Sequence, residues 1–108
     1  MRTILLTTLL LLAACAPIQV GRSFDPDPFL ERVQRGQTTS QQVLTWLGPP
    51  QSRGEIIDAD GRQFIRWLYY YGQGKPPKFA DLSFRILEIH FDADGRVAAY
   101  NWTGEESE

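Results

Sequence analysis

The chain runs through four hydrophobic rhythms. Ile4 to Leu12 is almost continuously apolar, and Ala16 to about Asp27 has no period and carries Pro17, Gly21, Pro26 and Pro28 in or at its edge. From Phe29 the spacing becomes helical. Phe29, Leu30 and Val33 fall on one side of a short helix over residues 28–35, with Asp27 placed to cap it, Pro28 at its first position and Gly36 ending it. A second helix is punctuated more clearly. Thr39-Ser40-Gln41-Gln42 fits a capping box, with Thr38 and Gln41 fitting one residue earlier, and Val43, Leu44 and Leu47 form the apolar stripe beside Trp46. Gly48 suits the position past a helix end, and Pro49-Pro50 forbid continuation.

Beyond Pro50 the period falls to two, the signature of strands. Residues 51–57 read as a weak strand. Residues 62–71 read as a strong one, with Ile65, Trp67, Tyr69 and Tyr71 on one face; residues 82–91 place Leu87, Ile89 and Phe91 together; residues 96–102 close the set. Gly72 to Ala80, with two glycines, two prolines and two lysines, reads as a flexible loop. Asp58-Ala59-Asp60-Gly61-Arg62 recurs word for word as Asp92-Ala93-Asp94-Gly95-Arg96. An EF-hand calcium loop needs glycine at its sixth position and a bidentate glutamate at its twelfth. Here glycine is fourth, and the twelfth residues are Tyr69 and Thr103, so both copies read as hairpin turns. The pattern predicts an α+β domain: two short N-terminal helices packed on a three-stranded antiparallel sheet, or a four-stranded one if residues 51–57 join it.

The first residues change the picture of where the domain resides. Basic Arg2, a short apolar run and small residues before a cysteine are the parts of a secretory signal. The run from Ile4 to Ala14 is shorter than the roughly 20 residues that a bilayer span requires. Leu12-Ala13-Ala14-Cys15 resembles the lipobox of bacterial lipoproteins, which implies cleavage before Cys15, lipidation of its sulfur and acylation of the freed amine. Cys15 is the single cysteine of the chain and can form no internal disulfide, so lipidation gives it a use. Ala16, not Asp, follows it, which resembles the pattern sent to the outer membrane with the domain facing the periplasm. The expected organisation is a signal peptide at 1–14, a lipidated tether at 15–27, the folded domain at 28–103 and an acidic tail at 104–108.

Without Arg2 the remaining chain carries 10 basic and 13 acidic residues, which offers no footprint for nucleic acid. Titratable candidates for chemistry are few. His90 is the only histidine, flanked at two-residue spacing by Glu88 and Asp92, a conceivable metal set on one strand face. A solvated face on which Glu88 pairs with Arg66 across strands accounts for these residues better. No nucleophile setting, phosphate loop, metal site or cofactor site is expected. A binding surface is the stronger candidate: if Trp67, Tyr69, Leu87 and Ile89 face the helices, the other side of the sheet carries Phe64, Leu68, Tyr70, Phe84 and Ile86, a docking patch unless a helix, the tether or the loop covers it.

Taken in order, Gly36, Thr38, Val43, Leu47-Gly48, Pro50, Trp67, Tyr69, Leu87, Ile89, Phe91, Gly95 and Val97 resemble the SmpA/OmlA (BamE-like) family of outer-membrane lipoproteins. The resemblance covers roughly Phe29 to Trp102. It departs from the pattern of the family's best-known member in one respect, an additional residue between Gly36 and Val43, and its Gly36-Gln37-Thr38-Thr39 form resembles that of other small lipoproteins sharing the fold. The resemblance implies two helices on a three-stranded sheet and a non-catalytic role in assembly or stability of outer-membrane β-barrel proteins. Its implied partners are β-barrel assembly machinery proteins and anionic lipid, the latter within reach of Lys75 and Lys78. The same sandwich also resembles the repeated unit of β-lactamase inhibitor proteins, which implies an alternative: a stand-alone envelope lipoprotein that binds or inhibits another protein.

Overall fold

The computed structural model describes residues 18–74 and 83–104; Cys15 and the signal before it, Lys75, Lys78 and the tail residues 105–108 lie outside the described residues. In chain order the elements are β1 (Ile18–Gly21), α1 (Asp27–Arg32), α2 (Ser40–Leu47), β2 (Ser52–Ile57), β3 (Gln63–Gly74), β4 (Ser83–Phe91) and β5 (Val97–Gly104). The fold is α+β: among the described residues there are two helices and an antiparallel sheet of five strands. β3, β4 and β5 are neighbours in that order. Along the other edge of β3, β2 pairs with residues 63–68 and β1 with residues 71–74, end to end.

The fifth strand corrects the expected tether. Residues 18–21 form the edge ladder Ile18↔Gly74 to Gly21↔Tyr71. Phe24 then packs its ring 5.8 Å from Tyr69 and 6.1 Å from Trp102, and Pro26 is buried. The segment carries proline and glycine and lacks a long apolar run, so only the strand it pairs with gives it a shape. The same pairing corrects the expected loop at its start. Gly72 and Gln73 continue β3 between partners on β1 and β4, and Gly74 pairs with Ile18 of β1.

α1 starts one residue earlier than expected and ends after two turns. Pro26 occupies the cap position, Asp27 is the first helical residue, and the Asp27 N–H donates to Asp25 Oδ1 at 3.1 Å. Asp25, not Asp27, therefore receives a free amide of that turn. In α2 the two capping registers are resolved. The Thr39 hydroxyl accepts from the Gln42 N–H, and Gln42 Oε1 accepts from the Thr39 N–H. Thr38 is buried and its hydroxyl accepts the Gln34 N–H at 2.8 Å, closing the turn between the helices.

That turn is stitched to the start of β5. Gly36 N–H donates to Val97 O, Val97 N–H to Thr38 O, and Ser40 N–H to Gly95 O, all at 2.8–2.9 Å. The two identical pentapeptides thus share a local geometry and differ in setting. In each, the aspartate Oδ1 accepts two amides, from Asp60 and Arg62 in one and from Asp94 and Arg96 in the other. Gly61 and Gly95 take the positive φ that closes the turn. The second copy is docked beneath the first turn of α2; the first is held by its own ion pairs from Arg62 to Asp58 and Asp60.

The core lies between the helices and one face of the sheet. Phe29 and Val43 from the helices meet Trp67, Tyr69, Leu87, Ile89, Phe91 and Val97. Phe29 packs edge-on against Tyr100 at 5.2 Å, and Trp67 against Phe91 at 4.6 Å. Burying a side chain of this size contributes about 1.5–3 kcal/mol. Tyr69 also reaches through the core to donate its hydroxyl to Gly48 O at 2.8 Å, which pins the C-terminal end of α2 to the middle of β3. Burial pushes that phenol well above the ordinary tyrosine range. Ile65, on the same face, lies beyond the helices and stays partly exposed.

Candidate functional site: the sheet face away from the helices

Alternation along paired strands decides which side chains share the second face. Since Trp67, Tyr69, Leu87 and Ile89 enter the core, Phe64, Leu68 and Tyr70 of β3 and Phe84 and Ile86 of β4 project from the opposite side. All five expected docking residues therefore stand on one face, and both helices lie on the other. Their register is Gly72↔Phe84, Tyr70↔Ile86 and Leu68↔Glu88. Phe84 is 50% and Ile86 40% exposed, while Phe64, Leu68 and Tyr70 are half-buried.

Two further apolar residues join this face. Val20 of β1 lies opposite Gly72 and is 53% exposed; Ile56 of β2 lies opposite Phe64 and is half-buried. Val20 falls in the expected tether, where its alternation with Ile18 across Gln19 is the one available sign of a strand. The Cδ1–Cε1 edge of the Phe84 ring lies over Gly72, where an added Cβ would fall 2.7 Å from Cδ1. A side chain at position 72 would lift this ring off the sheet.

The face is graded. Starting from the end at Ile18, successive cross-strand rows are Val20–Gly72–Phe84, then Tyr70–Ile86–Thr103, then Ser52–Leu68–Glu88–Asn101, then Gly54–Arg66–His90–Ala99. Charge enters this face only in the third row. There the Glu88 carboxylate meets His90 Nε2 rather than Arg66, which corrects the expected Glu88–Arg66 pair. The register explains it: Arg66 stands opposite His90 and is diagonal to Glu88, whereas Glu88 and His90 are two apart on one strand and project side by side. Asp92 does not join them, because its carboxylate is engaged by the amides of the hairpin turn.

Among the described residues no group of three or more His, Cys, Asp or Glu converges on a common point, and no helix is long and apolar enough to cross a membrane. A cleft of about 240 Å³ opens beside α2 over Ser40, Trp67, Phe91 and Asp92, and its only carboxylate, that of Asp92, is spent on the turn. Among the described residues, the sheet face offers the exposed apolar side chains Val20, Phe84 and Ile86 on neighbouring strands. It can bury apolar side chains against a partner, with an Arg66–His90–Glu88 band as its polar margin. No protein-family model, curated protein or solved structure matches this chain.

Proposed function

We propose that the chain is a lipid-anchored lipoprotein of the outer membrane, facing the periplasm, that acts as a non-catalytic protein-binding module in outer-membrane β-barrel assembly or envelope integrity. The single observation that carries the binding role is the sheet face itself: Phe84 and Ile86 stay half exposed on the side the helices leave open, beside Phe64, Leu68 and Tyr70. Monomeric proteins keep such contiguous apolar patches small unless they serve contact. The anchor rests on the Leu12-Ala13-Ala14-Cys15 motif, and the assembly role on the resemblance to the SmpA/OmlA family.

The test is recovery of the lipidated protein from gently solubilised envelopes, followed by mass spectrometry. The expected result is β-barrel assembly components in stable ratio with the wild type and their loss with a Phe64→Glu, Leu68→Glu double variant that still folds. A preparation holding only this protein, lipid-modified at Cys15, would favour the second reading, a stand-alone module that binds or inhibits another protein. The added residue between Gly36 and Val43, which resembles other small lipoproteins of this fold, is the observation on its side.

A further inference from the structure

We infer that the end of the open face formed by Val20, Phe84 and Ile86 rests in the surface of the bilayer that holds Cys15. The inference depends on the proposed lipidation of Cys15 and adds to it an orientation and a contact surface. The argument begins with chain length. β1 starts at Ile18, so only Ala16 and Pro17 separate it from Cys15. Whatever path they take, three steps of 3.8 Å keep the Cys15 and Ile18 Cα atoms within about 11 Å. Val20 lies two residues further, about 7 Å along the strand. The polar layer of one leaflet is about 5–7 Å deep. A folded strand begins almost at the lipid, so the domain cannot stand off from the membrane as a tethered one would.

The residues at that end suit the position. Among the described residues, the paired positions of five rows of the sheet, from Ile18↔Gly74 through Val20↔Gly72↔Phe84 to Tyr70↔Ile86↔Thr103, contain one charged residue, Arg85, with Arg22 just past β1 beside Tyr70. Arg85 is a cation, on the helix-side face, and suits an anionic lipid headgroup. On the open face the same rows present Val20, Phe84 and Ile86 at 53, 50 and 40% exposure, with the amphipathic ring of Tyr70 beside them. Glu88, the first anion on this face, lies one row farther from the anchor. Apolar surface near the lipid and charge away from it is the gradient of an interfacial contact. A protein partner would then meet the remaining part of the face, around Leu68 and Phe64.

The full lipidated chain in vesicles of phosphatidylethanolamine and phosphatidylglycerol, some carrying spin-labelled lipid, provides the test. An environment-sensitive fluorophore is placed on Phe84→Cys, on Val20→Cys and, at the far hairpin, on Ala93→Cys. The expected result is quenching by spin-labelled lipid several-fold stronger at positions 84 and 20 than at 93. Two labelled positions keep the test informative if one variant does not fold. Equal quenching at the three positions, in protein that floats with the vesicles, overturns the orientation and leaves the anchor standing. A shielded but unquenched probe at positions 84 and 20 assigns that end of the face to a protein and overturns the lipid contact. Absence of a lipid mass on Cys15, with no flotation, overturns the anchor itself and the inference with it.

Discussion

The side-chain amide of Gln51 stands in for a strand residue beside Tyr70. Its Oε1 accepts the Tyr70 N–H at 3.0 Å while its Nε2 donates to Arg22 O at 3.3 Å, and Arg22 N–H donates to Tyr70 O. β1 and β2 share one edge of β3 and leave the neighbourhood of Tyr70 between them without a continuous strand, so a glutamine side chain splices the ladder. Replacing Gln51 with Ala leaves the Tyr70 amide without this partner and should cost about 1–3 kcal/mol. Urea unfolding measures the loss, and hydrogen exchange should show the Tyr70 amide losing protection before those of Trp67 or Leu87. Unchanged protection at Tyr70 would mean that the splice is dispensable.

Gly21 and Gly61 separate two reasons for needing glycine. Both have positive φ, 77° and 82°, but an added Cβ at Gly21 would run into the Tyr70 carbonyl, whereas at Gly61 nothing lies within 4 Å. Gly61→Ala should cost only the left-handed backbone term, about 1–2 kcal/mol. Gly21→Ala should cost more and should detach β1 from β3. Thermal unfolding of the two variants, with exchange at Gln73 and Gly74 as the local report, checks the order.

Tyr69 makes stability depend on alkaline pH. Burial raises its folded-state pKa, so the stability it contributes is complete below the unfolded value of about 10 and is lost as pH rises toward the folded value. The melting temperature of the wild type should fall as pH passes about 10. Tyr69→Phe should lower stability by about 1 kcal/mol at neutral pH, through loss of the bond to Gly48 O, and should flatten that alkaline decline. An equal decline in both proteins would assign it to other groups.

The repeated pentapeptide provides a controlled comparison. Asp58 and Asp92 accept the same two amides, yet only the second turn is bonded to the helices through Ser40 N–H to Gly95 O. Asp92→Ala should cost about 1–2 kcal/mol and loosen the first turn of α2, whereas Asp58→Ala should cost less and stay local. The backbone amide of Arg62 holds the Asp58 carboxyl below its usual range, so its contribution is present above about pH 4 and fades as pH falls further. Calorimetry with amide chemical shifts at Ser40 distinguishes the two variants.

Local chemistry made much of this fold legible. Thr39 and Gln42 mark the start of α2 and Gly48-Pro49 its end because caps and breakers act within a few residues. The two Asp-Gly turns set where strands reverse, and two-residue alternation in β3 and β4 sorts core residues from Phe64, Leu68, Tyr70, Phe84 and Ile86 without knowledge of contacts. Those positions were therefore determined by the sequence alone. Tertiary structure decided what depends on a distant partner. Ile18–Gly21 becomes a strand, and β3 extends to Gly74, only because each supplies hydrogen bonds to the other across fifty or more positions of chain. Gln51 becomes part of the sheet only where two strands meet on one edge, and Glu88 turns to His90 only once the register sets Arg66 diagonally. A residue's own propensity is worth a fraction of a kcal/mol, whereas an unpaired buried amide costs more, so pairing overrides what a short polar segment would otherwise adopt.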